Sequence, residues 1–380
     1  MGAFASALSE HPVTSQAIGE VVGQVLDQLG PEPDLALLYV TPGHAGALED
    51  AARAVQALLR PRTLLGAAAE SVVGTGREVE GGPAVSLWAA RVGPVTPVRL
   101  EAMGPEGPVL GWPGHLEERP GLVLLLADPF SFPAEAFFSA LAEDHPGLEV
   151  VGGMASAAAR PGGNRLVLDG EVLAGGAVAA ILSGEAAVEA VVSQGCRPIG
   201  HPLVVTRAAG NILYELAGEP PLQRLEELAK SSLSEEELDL INSGGLHLGR
   251  VVDEHRAGFA VGDFLVRNVL GGDRTVGAIA VNDRLETGTT VQFHLRDART
   301  ADQELRRLLA GREAGAALLF TCNGRGTRLF GRPHHDAGVL AEALGPVPVA
   351  GFFAAGEFGP VAGHNFVHGF TASMALFPVS

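Results

Sequence analysis

Lysine is nearly missing from this chain: Lys230 is the only one in 380 residues, and it sits in the polar helical stretch RLEELAKSSLSEEELDL. A phosphate-gripping P-loop lysine and a Schiff-base lysine therefore find no candidate. Cysteine is scarce too. Cys196 and Cys322 are too few to staple a chain of this length, and neither stands in a metal-ligand spacing, which points to a reducing, cytoplasmic setting. With two Trp and two Tyr, platforms for stacking single-stranded bases are few. Cations are outnumbered, 26 Lys+Arg against 44 Asp+Glu, giving a net charge of −18. Such a surface repels phosphate on average, so neither nucleic acid nor an anionic membrane is expected as a partner. No apolar run approaches the ~18–20 residues of a membrane span, and the first residues lack the basic and apolar regions of a secretory signal. Met1-Gly2 with Ser6 matches a short acylation pattern, but one so short that chance supplies it far more readily than lipidation does. Neither G-x-S-x-G nor H-E-x-x-H occurs.

What is present is a turn-rich globular composition, 47% apolar with 51 Gly and 25 Pro, long enough for about two domains. An N-terminal helical segment (1–32) is expected, with a helix over Ser15–Leu29 and Gly30 as its stop. A pattern then recurs three times: an apolar run, a polar loop, a helix, and a second apolar run ending in small residues. The first runs are Leu35–Val40, Leu122–Ala127 and Ala317–Cys322. In the second copy Asp169-Gly170 marks a hairpin turn, and in the third Asp336 reads as a helix cap. The predicted fold class is α/β, with repeated strand-helix-strand-strand units forming mixed sheets covered by helices in two related halves. Between copies two and three, Gly218-Glu-Pro-Pro221 breaks the chain, and Ser234 with Glu237 forms a capping box in an acidic helical pair. Turns are predicted at Gly271-Gly272-Asp273 and Glu286-Thr287-Gly288, and Thr300 with Gln303 reads as the cap of the next helix.

Loops after such strands are where open α/β sheets place ligands. Cys322, Asn323, Gly324, Arg325 and Gly326 lie there; glycines that permit positive φ would let amides converge on an oxygen-rich ligand while Arg325 adds a bidentate donor. The same residues read equally as a tight turn with a solvated arginine and a core cysteine. Glu357, His364, Asn365 and His368 occupy an otherwise apolar tail, where buried polar groups need partners and so make a polar pocket. In a strand His364 and His368 would lie ~13 Å apart, too far to share an ion, and no metal or other cofactor is expected. Cys322 or Cys196 as an activated nucleophile is an alternative to two buried thiols acting as small hydrophobes.

Five stretches together are similar to the FIST family: Ser193–Gly218, Val266–Asp273, Val291–Ala298, Cys322–Gly326 and Gly351–Phe377. The resemblance spans about Pro33 to Phe377 and implies a FIST N-terminal-like domain over 33–218 and a FIST C-terminal-like domain over 219–380. It implies a sensory module for a small metabolite, an amino acid or small carboxylate, acting in signal transduction through a protein partner. Carried over by position, it marks Gly195, Cys196, Pro198, Arg267, Asn268, Gln292, Arg296, Asp297, Cys322, Gly324, Arg325, Gly326, Glu357, Asn365, His368 and Thr371. His364 stands where the family carries arginine. The expected site has Arg325 holding a carboxylate, with Glu357 and Asn365 orienting an amine or hydroxyl. A thiol enzyme using Cys322, or an interaction scaffold built on the acidic helical pair, are the alternatives.

Overall fold

A computed structural model describes residues 3–104, 107–116, 120–256 and 258–379; Met1-Gly2, with its acylation pattern, lies outside them. The chain divides into two compact units, residues 1–192 with 305–380, and residues 193–304. The first unit begins with β1 (Phe4–Ser9) and α1 (Thr14–Leu29). The first copy follows as β2 (Leu35–Val40), α2 (Pro42–Ala45), α3 (Leu48–Leu58), β3 (Thr63–Ala68), a hairpin of β4 (Ser71–Gly74) and β5 (Arg77–Glu80), and β6 (Val85–Ala90). After β7 (Val95–Ala102) and β8 (Val109–Leu110) comes the second: β9 (Pro120–Ala127), α4 (Ala134–Asp144), β10 (Glu149–Met154), hairpin β11 (Leu166–Leu168) and β12 (Glu171–Leu173), β13 (Ala177–Ser183), then β14 (Glu189–Ser193).

The second unit holds β15 (Cys196–Ala209), β16 (Ile212–Leu216), α5 (Pro221–Ser231), α6 (Glu235–Leu240), β17 (Leu246–Val251), β18 (Phe264–Asp273), β19 (Ala278–Val281) and β20 (Thr290–Arg296). Its six strands close into a barrel around Ile199, Leu213, Leu248, Val291 and Phe293. Glu304 accepts from Ser193 Oγ (3.1 Å) and Gly195 N (2.9 Å), so the segment starts and ends at one place. From α7 (Ala298–Leu309) the chain resumes the first unit with the third copy: β21 (Ala316–Cys322), α8 (Thr327–Phe330), α9 (His335–Leu344), β22 (Val349–Ala354), hairpin β23 (Glu357–Val361) and β24 (His364–His368), and β25 (Ala372–Phe377).

In each copy the two apolar runs pair in parallel and the closing strand returns antiparallel, as runs buried on both faces require. Each copy then gives its hairpin to another copy's sheet. The first lends β4 to β22, the second lends β11 to β3, and the third lends β23 to β10, which closes the exchange into a ring. The three sheets share one core that includes Leu37, Tyr39, Trp88, Leu124, Phe320 and Phe352. Helices cover the other faces: α1 and α3 the first sheet, α4 the second, α7 and α9 the third.

The register makes the copies equivalent residue by residue. Leu38, Leu125 and Leu319 oppose Gly66, Gly152 and Gly351, and a Cβ on those glycines would stand 2.4, 1.9 and 1.7 Å from the facing carbonyl oxygens. Gly351 also has φ +158, so Gly351→Ala is expected to destabilise the unit by about 1–3 kcal/mol from backbone strain alone, read as a lower urea midpoint. An unchanged midpoint would contradict the close approach.

Several expectations are corrected. The first 32 residues are not a separate helical segment, because β1 pairs with β6 along its whole length. The compact units are a different division from the expected sequence boundary near 218, since β4 pairs with β22 and β10 with β23 across that position. Gly271-Gly272-Asp273 forms strand, not turn, because β18 continues against β19. Asp297 caps α7, accepting Thr300 N at 2.8 Å and Thr300 Oγ1 at 2.6 Å. The capping box of Ser234 and Glu237 is present, and Asp169-Gly170 turns with φ +47 and +88.

Candidate functional site

Equivalence between copies shows where this sequence departs from what the fold needs. Thr41, Asp128 and Cys322 end the first strands, their amides donating to Ala84, Gly176 and Thr371 oxygens at 3.0, 2.9 and 3.0 Å. On the exchanged hairpins, Val72, Leu166 and Glu357 occupy equivalent registers, and Val79, Leu173 and His368 face them. One residue away, Glu78 stands where the other copies have Val172 and Val367. Two fully or nearly buried carboxyls and a buried imidazole thus replace aliphatic side chains that the architecture accepts elsewhere.

Arg325 and Asp336 are both 0% exposed. Arg325 Nε and Nη2 donate to Asp336 Oδ2 and Oδ1 at 2.7 and 2.8 Å, and Nη1 donates to Phe370 O at 3.4 Å. Thr321 Oγ1 donates to Oδ2 (2.7 Å), and His335 Nδ1 lies 2.9 Å from Oδ1. Burial opposes ionisation of Asp336, but the Arg325 charge and these hydrogen bonds hold it well below the usual carboxylate range. The carboxylate that Arg325 was expected to take from a ligand is supplied by the protein itself. The cap of α9 is His334, at φ +62, rather than Asp336.

Glu357 is completely buried. Its Oε2 accepts from Thr371 N (3.1 Å) and Thr371 Oγ1 (2.8 Å), while Oε1 takes no N–H or O–H donor. Burial drives its pKa to about 8 against the opposing pull of Thr371, the Arg325 charge and the nearby Cys322 thiol. The group is therefore mainly a neutral acid at neutral pH. Cys322 itself is half-buried, and its Sγ accepts from Gly324 N at 3.4 Å.

A second buried acid also feels the Arg325 charge. Glu78 Oε1 accepts from Ala337 N in the first turn of α9 (2.9 Å) and Oε2 has no partner; burial, then the Asp336 charge, raise its pKa to about 8. Glu80 accepts from Thr327 N at 3.0 Å and Thr327 Oγ1 at 2.8 Å. The loop amides expected to converge on a ligand are thus used within the chain: Asn323 N on Ala354 O, Gly324 N on Cys322 Sγ, Arg325 N on Cys322 O, Thr327 N on Glu80. Only Gly326 has the positive φ anticipated, and a Cβ there would meet the Phe353 ring and the Glu80 carboxyl within 2.8 Å. Arg328, with its side chain 61% exposed, spans from Asn323 O (3.0 Å) to Glu70 (2.6 Å), and the buried Asn323 Oδ1 has no donor.

The other anticipated residues have different surroundings. Asn365 ties β24 to the start of β10, Oδ1 accepting from Val150 N and Nδ2 donating to Leu148 O, each at 2.8 Å. Both amide atoms of Asn365 are thus engaged with the backbone around β10. His364 is exposed, and His368 Nε2 donates to Gly359 O at 2.9 Å. Cys196, Arg267 and Asn268 belong to the barrel unit: Cys196 is buried opposite Arg296, Arg267 Nε donates to Asp283 at 3.2 Å, and Asn268 is exposed opposite His247. Sequence reasoning missed Glu78 and the roles of Thr321 and Asp336. A buried-pair signal existed, because an arginine after an apolar strand demands an acid nearby.

Among the described residues no group of three or more His, Cys, Asp or Glu is placed to hold a metal ion, and no helix is long and apolar enough to cross a membrane. Residues 34–219 match the model of the FIST N domain and residues 221–360 that of the FIST C domain. The chain is 45% identical over 381 residues to the uncharacterized protein Rv0628c of Mycobacterium tuberculosis, covering 97% of this chain and 98% of that one. It is likewise 45% identical over 376 residues to the uncharacterized protein Mb0898c of Mycobacterium bovis, covering 96% of each.

Proposed function

The chain belongs to the FIST family, whose domains are associated with sensory signal transduction and small-ligand binding, and on that premise we propose that it is a cytoplasmic sensor of a small amine-bearing metabolite such as an amino acid. The observation that carries this reading is Glu357: a buried acid, replacing an aliphatic residue of the other copies, whose Oε1 faces no N–H or O–H donor. A ligand ammonium group supplies what that oxygen lacks. For an amino acid, the exposed Arg328 exchanges its Glu70 partner for the ligand carboxylate, in place of the enclosed Arg325. The signal passes to a protein partner through the difference in affinity that the ligand has for two arrangements of the loop after β21.

Thermal-shift measurement with each of the common amino acids tests the reading. A ligand at about 100 times its Kd should stabilise the protein by ~2.7 kcal/mol. The gain should vanish in Glu357→Gln and survive in Asn365→Ala. Equal stabilisation of Glu357→Gln would move the site elsewhere.

A further inference from the structure

We infer that this site exchanges a proton for the positive charge of its ligand: Glu357 carries a proton until an ammonium group settles against Oε1, and then releases it to solvent. The inference rests on the reading above. Its basis is the charge inventory of the interior. Asp336, Glu78 and Glu357 are buried around a single buried guanidinium, and Arg325 commits Nε and Nη2 to Asp336. Thr371 from β25 offers two neutral donors, Cys322 at the end of β21 offers a thiol, His368 across β24 turns Nε2 to Gly359 O, and Gly153 on β10 adds no side chain. Arg325 acts on Glu357 through its charge, and that charge is shared with Asp336, which His335 also contacts, and with Glu78.

An ionised Glu357 therefore has no full countercharge of its own, and the carboxyl is held as the acid, consistent with its pKa of about 8. An incoming R–NH3+ keeps all its protons and brings the missing charge. The carboxyl O–H bond breaks, its proton goes to bulk water, and the carboxylate accepts from the ammonium group. No electron transfer or co-reactant is involved. Below the pKa, ligand and proton compete, so affinity should rise about tenfold per pH unit and level off above about pH 8. A cationic metabolite would then be sensed together with the pH.

Infrared difference spectra of the full chain against Glu357→Gln test this, with methylammonium chloride and a mixture of the common amino acids as probes and thermal shift as the independent measure of binding. The expected result is a protonated-carboxyl band at neutral pH that is replaced by carboxylate bands on adding either probe, with no such change in Glu357→Gln. Absence of the protonated band before any addition overturns proton exchange and leaves the sensor reading standing. So does a band that persists while thermal shift reports binding. If neither probe shifts the melting temperature, the ammonium-binding site falls and the exchange with it.

Discussion

Asp336→Asn is expected to lower the stability of the first unit by about 3–5 kcal/mol, because it leaves Arg325 buried without the anion that holds both Nε and Nη2. The loss should be read by urea unfolding and should depend on pH. At acidic pH, Glu78 and Glu357 stay protonated, so nothing nearby answers the guanidinium charge. As pH rises their ionisation becomes the compensation, and the deficit shrinks. The double substitution Arg325→Met with Asp336→Leu removes both charges and should recover most of the loss. An Asp336→Asn protein with wild-type stability at pH 5 would mean that this pair is not the closed unit it looks to be.

The second large effect concerns the pH dependence of stability itself. Glu78 and Glu357 ionise near 4.5 in an unfolded chain and near 8 in the folded one. Between those values the folded state holds more protons, so their contribution is complete below about pH 4.5 and is lost as pH rises through about 8. Most carboxylates that are paired in a fold act in the opposite direction; half-buried Glu149 and Asp169, also raised by burial, act in the same direction, so substituting Glu78 and Glu357 isolates their share of the alkaline decline. Glu78→Gln with Glu357→Gln keeps their shape while removing the titration, and should flatten that decline by several kcal/mol in total. A double variant that still loses stability between pH 5 and 9 as steeply as the parent would show that both acids are ionised at neutral pH.

Much of the architecture was legible. The runs LALLYV, LVLLLA and ALLFTC are continuous and apolar because they are central strands with both faces covered, and their recurrence revealed the three copies. The exchange of hairpins was not legible. SVVG carries no mark of its partner strand Val349–Ala354, since pairing choice lies in the complementarity of surfaces distant in sequence. In the site, Glu357 stood out as an acid within an apolar tail. Glu78 did not, because REVE alternates like a strand with one wet face, whereas α9 covers Glu78. Asp336 was read locally, as the opening of a helix, and its arginine partner eleven positions earlier required the third dimension to be seen.

Biosynthesis meets the closed ring of hairpins as a problem of order. When the ribosome has made residue 219, β4 and β10 have both emerged, yet the strands that pair with them, β22 and β23, have not been translated. A fragment cut at that residue would expose raw sheet edges, which invite aggregation. The first sheet is complete by then, but the other two stay open until the last thirty or so residues bring β22 to β25, so the sheets close in the order of synthesis rather than together.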